Sequence, residues 1–221
     1  MPLRRLVPCL LFPLLPAAAA AHPHVFIDAA LNLDYNAAGL AQVTVEWTYD
    51  DLYSLLIIED LDLDPDGDGI LMPHEEARLQ GFDADWGPGF DGSLYLQVDG
   101  DPVDLGPPHS FDASYRDGRL VSRHVRPLAT PLPVSQPLLI QVYDPEYYVQ
   151  FSVPQLPRIH GAAGCDLRAR EGDPFAAADA YARAVADSLA EGEDASAAEI
   201  LEVDIGSVGA DEIRVTCGSP S

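Results

Sequence analysis

Residues 111–125 read FDASYRDGRLVSRHV, and this stretch decides the fold. Asp117-Gly118 interrupts two runs of mixed apolar and polar residues. Asp-Gly between such runs is a strong signal for the type I′ turn of a β-hairpin, because both central residues then need a positive φ. A two-residue turn here sets Arg116 opposite Arg119 and, counted outward, Phe111 opposite His124. His109 then falls diagonally on the same face, at roughly 7–8 Å. That face also carries Tyr115 and Leu120, which makes it the face expected to be buried.

Working outward, the same strand grammar recurs. His24 to Tyr35 alternates, with Val25, Ile27, Ala29, Leu31 and Leu33 on one side. A turn at 36–39 leads into Gln42 to Tyr49, which alternates through Val43, Val45 and Trp47, so a hairpin opens the domain. Gly92 to Val98 reads as a strand that returns at Val103 to Leu105. Leu138 to Tyr143 and Tyr148 to Val153 flank Asp144-Pro145-Glu146 as a further strand pair. Tyr147 and Tyr148, being adjacent, are expected to point one inward and one outward. Pro154, Pro157 and the glycines of 161–164 mark a connector, and Ile213 to Cys217 forms a last short strand. Pro174 to Ala190 instead shows helical spacing, with Phe175, Ala178, Tyr181, Val185 and Leu189 on one face. The fold expected is mainly β within the α+β class. It is a β-sandwich-like domain with an EF-hand-like helix-loop-helix insertion at 50–82 and a C-terminal part, 158–221, that contains an amphipathic helix.

Composition narrows the function classes. The 221 residues carry 12 basic against 36 acidic side chains, for a formal net charge of −24. Every basic residue is Arg. No basic stripe is available to neutralise a phosphate backbone, so nucleic-acid binding is excluded. The charge also opposes docking on an anionic membrane surface. A hydrophobic content of 48% is enough to build a core.

The first 21 residues read as an export signal rather than as part of the fold. Arg4 and Arg5 begin it, Leu6 to Pro16 is its apolar stretch, and Ala19-Ala20-Ala21 fits the small-residue cleavage rule. Pro8, Pro13 and Pro16 and the shortness of the run exclude a membrane span. The remaining residues, 22–221, form a single secreted domain starting at His22, expected in the periplasm. Cleavage leaves Cys165 and Cys217. In an oxidising compartment an even pair reads as a disulfide, which closes a loop of about 50 residues worth roughly 4 kcal/mol. A thiolate metal site is the alternative, with no neighbouring His or Cys to support it.

One motif carries definite chemistry. Asp64-Pro65-Asp66-Gly67-Asp68-Gly69-Ile70-Leu71-Met72-Pro73-His74-Glu75 matches the twelve-residue EF-hand loop. Calcium requires oxygen ligands at positions one, three, five and twelve, here Asp64, Asp66, Asp68 and Glu75, and a backbone carbonyl at position seven, here Ile70. Gly69 permits the sharp turn and Leu71 packs inward. Met72 departs from the usual polar ninth residue, so water must serve there. Leu52 to Leu61 is the entering helix and Glu76 to Gln80 the leaving one. In a secreted protein such a loop is expected to act as a permanent calcium staple.

A second candidate lies at the new chain end. His22-Pro23-His24 offers the α-amine and two imidazoles, donors suited to Ni(II), Co(II), Zn(II) or Cu(II). Pro23 has no N–H, so a square-planar site built on deprotonated amides cannot form. Further ligands would have to come from elsewhere, with His109 and His124 of the hairpin as candidates; packing or hydrogen-bonding roles are the plainer reading of that pair.

His22-Pro23-His24-Val25-Phe26-Ile27-Asp28, the DG-rich loop after the first hairpin, and Tyr143-Asp144-Pro145-Glu146-Tyr147-Tyr148-Val149-Gln150-Phe151 together resemble the bacterial periplasmic family called domain of unknown function 1007. Its members are described as the periplasmic component of an ABC-type transport system and often occur beside nickel/cobalt permeases or exporters. The resemblance implies a metal-binding accessory protein partnered with an inner-membrane metal transporter. It supplies no catalytic residue. No hydrolase arrangement is apparent either, so a binding protein rather than an enzyme is expected. Two alternatives remain: a calcium-stapled interaction module in which the histidines do nothing, and a copper enzyme with an N-terminal histidine.

Overall fold

The structure is a computed structural model that describes residues 23–190 and 203–218. The export signal and His22 lie outside the described residues. The elements run β1 (Val25–Asn36), β2 (Gly39–Tyr49), α1 (Asp51–Asp60), α2 (Pro73–Glu76), β3 (Leu94–Val98), β4 (Asp101–Pro102), β5 (His109–Arg116), β6 (Arg119–Leu132), β7 (Leu138–Val142), β8 (Val149–Ser152), β9 (Arg158–His160), β10 (Cys165–Arg170), α3 (Pro174–Ala190) and β11 (Glu212–Cys217). A 3₁₀ turn at Ala77–Leu79 follows α2. Among the described residues no helix is long and apolar enough to cross a membrane.

Two sheets form the sandwich. The first has strand order β5-β6-β2-β1-β8, with β9 also against β1; the second is β10-β11-β7-β3-β4. The alternation read from β1 is realised: Val25, Ile27, Ala29, Leu31 and Leu33 are all buried. They join one cluster with Leu94, Leu96, Ile140, Val142, Ile213 and Val215 of the opposite sheet. Each such side chain contributes roughly 1.5–3 kcal/mol by leaving water, and this drives the sheets together.

The strands at 138–153 depart from the expected pairing. β7 lies in the second sheet, while β8 runs parallel to β1 in the first. The segment between them is a crossover, not a hairpin turn. Asp144 shapes it, accepting from Glu146 N (3.0 Å) and Val149 N (2.9 Å), and Tyr147 takes a positive φ of 57°. Tyr147 is buried and Tyr148 exposed. β8 and β9 share one edge of β1 and are parted at Pro154 and Pro157, whose missing N–H groups cannot continue a ladder.

Helix α3 has the expected bounds, and only part of its expected apolar face packs. Phe175 is 81% exposed, and the buried residue is Ala177. The helix docks by its first turn, where Gly209 comes so close that a Cβ there would lie 2.7 Å from that of Ala177. Small residues make this contact, and from the apolar face Tyr181 sets its ring 5.8 Å from that of Tyr147. Cys165 and Cys217 are cross-strand partners of β10 and β11 and form a disulfide.

The insertion after β2 covers the open edge of the first sheet. The Gln80 amide donates to Ala113 O (2.6 Å) and accepts from Ala113 N (3.2 Å), while Glu76 accepts from Tyr115 N (3.3 Å). Side chains thus stand in for a missing neighbour of β5.

Candidate functional site

The acidic loop is held by its own backbone. α1 starts at Asp50, whose carboxylate accepts from Tyr53 N (2.9 Å) and Phe26 N (2.8 Å), fixing the helix to β1. After α1 the chain turns through Asp62, with φ 48°, and Leu63 plugs into the core. Asp64 then accepts from Asp68 N (3.2 Å) and Gly69 N (2.9 Å), and Asp68 from Ile70 N (2.8 Å). Gly67 and Gly69 take φ of 69° and 75°, which strains any side chain. The result is that Asp64, Asp66 and Asp68 each offer a carboxylate oxygen, all within 4.8 Å of one another. The Gly69 N–H holds the Asp64 carboxyl below the usual range, whereas contact with Asp64 and then the charge of Asp68 push Asp66 up. Three crowded carboxylates are a repulsive arrangement that a divalent cation relieves.

Glu75, twelfth in the loop, is not in that group of three. It is buried and accepts from Met72 N (2.7 Å) at the start of α2. Leu71 packs against the core while the Ile70 side chain is 65% exposed. Arg78 donates to the carbonyls of Asp62 (2.8 Å) and Leu61, tying the leaving segment back to the end of α1.

The histidines do not assemble. His24 is exposed, its backbone N–H donating to Tyr148 O (2.9 Å) and its ring 4.8 Å from that of Tyr148. The β5–β6 register follows the expected pairing from Arg116↔Arg119 to Asp112↔Arg123, then slips, so that His109 pairs with Val125. Ser110, with φ 58°, sits in this bulge, and its hydroxyl lies 2.8 Å from His109 Nδ1. The slip removes His109 from the face on which His124 lies. His124 is fully buried among Trp47, Trp86 and Phe111, at ring separations of 4.8, 5.1 and 5.7 Å. Neither of its nitrogens has a hydrogen-bond partner. Burial, reinforced by the Arg126 charge, pushes its pKa down to about 4, so it is neutral at ordinary pH. Among the described residues, Asp64, Asp66 and Asp68 are the group of three that can hold a metal.

A cleft of about 720 Å³ opens beside this aromatic cluster. Its walls include Trp47, Tyr53, Trp86, Phe90, Tyr148 and Phe151, contributed by β2, α1, the 83–91 segment and β8 with the residue before it. Arg126 lies behind Trp86, 5.2 Å from the ring centroid, and donates to Gly106 O (3.1 Å) and Asp91 O. Asp83 lines the cleft and accepts from the Tyr49 hydroxyl (3.2 Å); burial pushes its carboxyl up.

The family model described as a protein of unknown function, DUF1007, matches residues 7–217. The chain belongs to this family. No curated protein and no solved structure matches it. In this DUF1007 chain, sequence reasoning found the acidic loop and missed the cleft. A weak signal for the cleft existed in Trp86-Gly87-Pro88-Gly89-Phe90, two aromatic residues on a Gly-Pro-Gly hinge with Asp83, Asp85 and Asp91 around them.

Proposed function

We propose that this DUF1007 protein is an exported metal-binding accessory protein, stapled by calcium at Asp64–Glu75 and serving an envelope transporter of nickel, cobalt or zinc. It binds rather than catalyses. The observation that carries the calcium part is the convergence of Asp64, Asp66 and Asp68 on one point in a twelve-residue loop of the right pattern. The disulfide supports a periplasmic location, since such bonds persist in oxidising compartments. Glu75 and the Ile70 carbonyl would join the three aspartates in holding the ion. The test is calorimetric titration of the processed chain with calcium, in wild type and Asp66→Ala. Saturable binding lost in the variant supports the staple; equal heats in both chains end it.

A second reading, carried by the exposed His24 ring beside Tyr148, places the transition metal on His22 and His24 at the chain end. The buried, neutral His124 and the displaced His109 take no part in it. Titration with Ni(II), Co(II), Zn(II) and Cu(II) tests this separately. Binding abolished by His24→Ala supports it, and binding indifferent to that change refutes it.

A further inference from the structure

We infer that the aromatic cleft is a binding site for a small organic cation, one carrying an alkylated ammonium group. The site is distinct from the calcium loop and from the chain-end histidines, and it depends on neither. Three observations converge on it.

The first is charge. The residues lining the cleft include Asp83, Asp85, Asp91, Asp144 and Glu146, and no Arg or His. Asp144 already serves two backbone N–H groups of the crossover, and Asp91 one at Ser93 (3.0 Å). Asp83 is different. It is half-buried, its hydrogen-bond partner is the neutral Tyr49 hydroxyl, and among the described residues no Arg or His pairs with it. A partly desolvated carboxylate without a cation carries a cost, and a guest that brings the positive charge reduces it.

The second is the chemistry of the walls. Trp47, Trp86, Phe90, Tyr53 and Tyr148 line the cleft, and aromatic rings attract cations through their quadrupoles, most strongly where water is excluded. The fold itself shows that this wall suits a cation, since Trp86 carries the Arg126 guanidinium on its ring. A compact, strongly hydrated metal ion gains little from rings. An alkylated ammonium, weakly hydrated and apolar at its edge, gains from both rings and carboxylate.

The third is size. A cavity of about 720 Å³ falls within the usual range for small-molecule sites, and it is open to solvent at the Phe90 side, where that ring is 46% exposed.

Both tryptophans of the chain, Trp47 and Trp86, line the cleft, so intrinsic fluorescence reads its occupancy directly. The full exported chain is titrated with choline, with its neutral isostere 3,3-dimethylbutan-1-ol, and with an arginine-containing tripeptide. The expected result is a saturable fluorescence change with choline and none with the neutral alcohol. Asp83→Asn should weaken choline at least about tenfold, and Phe90→Ala, at an exposed ring, several-fold, with both variants unfolding cooperatively. Asp66→Ala should leave choline binding unchanged, which separates this site from the calcium loop. Equal responses to choline and the alcohol overturn the proposal, as does binding indifferent to Asp83→Asn and Phe90→Ala together. Saturation by the tripeptide alone also overturns it, and makes the cleft a dock for a protein side chain.

Discussion

The loop at Asp64–Asp68 and the cleft around Asp83 hold the same functional group in opposite settings. In the loop the carboxylates stand in water, converge on one another, and are oriented by N–H groups two to five residues away. In the cleft the Asp83 carboxylate is half out of water, against rings drawn from distant segments. A hard dication suits the first setting, because several charged oxygens can close around a small sphere. A bulky, weakly hydrated cation suits the second. The side chain alone does not choose the ligand; its dielectric surroundings and neighbours do.

The largest blow to this contrast comes from Trp47→Ala. Trp47 is nearly fully buried and touches Tyr49, Trp86, His124 and Phe151. Its loss should cost about 3–5 kcal/mol in denaturant unfolding, while the calcium heat of the surviving folded fraction stays as in wild type. Loss of calcium binding as well would show that the two regions are one cooperative unit.

A pH series sharpens the contrast from the cleft side. His124 has its folded pKa lowered to about 4 from an unfolded value near 6.5. Between those values the unfolded chain binds the extra proton, so stability falls as pH drops from about 6.5 to 4, by up to roughly 3 kcal/mol, and is unaffected above that window. His124→Phe should flatten this slope. It should also match or exceed wild-type stability at pH 7, because two unpartnered buried nitrogens disappear. Urea midpoints across the window decide it.

Calcium probes the other side. At a hundredfold excess over its dissociation constant it should add about 2.7 kcal/mol to the wild type and nothing to Asp66→Ala, measured as a shift in thermal midpoint with and without chelator. The smallest effect expected is that of Asp50→Ala, about 1 kcal/mol, from the lost cap of α1. Because α1 carries Tyr53 into the cleft and leads into the loop, this change should weaken both regions together, which the other changes do not.

How much of this was legible in the sequence follows from distance along the chain. The hairpin at Asp117-Gly118, the alternation of β1 and the acidic loop are local patterns, set by residues within a few positions of one another, and the two-sheet architecture follows from them. The Ser110 bulge was not legible, because nothing in His109-Ser110-Phe111 announces a positive φ, and one slipped residue sends His109 elsewhere. The crossover at Asp144 looked like a hairpin because a strand's partner is chosen by sheet packing far away. Helix α3 showed an apolar stripe, yet Phe175 stays exposed, and the close fit of Gly209 to Ala177 was announced by no pattern. The cleft escaped entirely, since its walls meet only after both sheets have formed.

Gln80 and Glu76, which shelter the outer strand β5, ride on the short segment directly after the acidic loop. Anything that loosens that segment therefore unclothes a row of backbone donors and acceptors, a ready template for fibrous self-association. The loop's integrity thus guards the solubility of the whole sheet as well as its own shape.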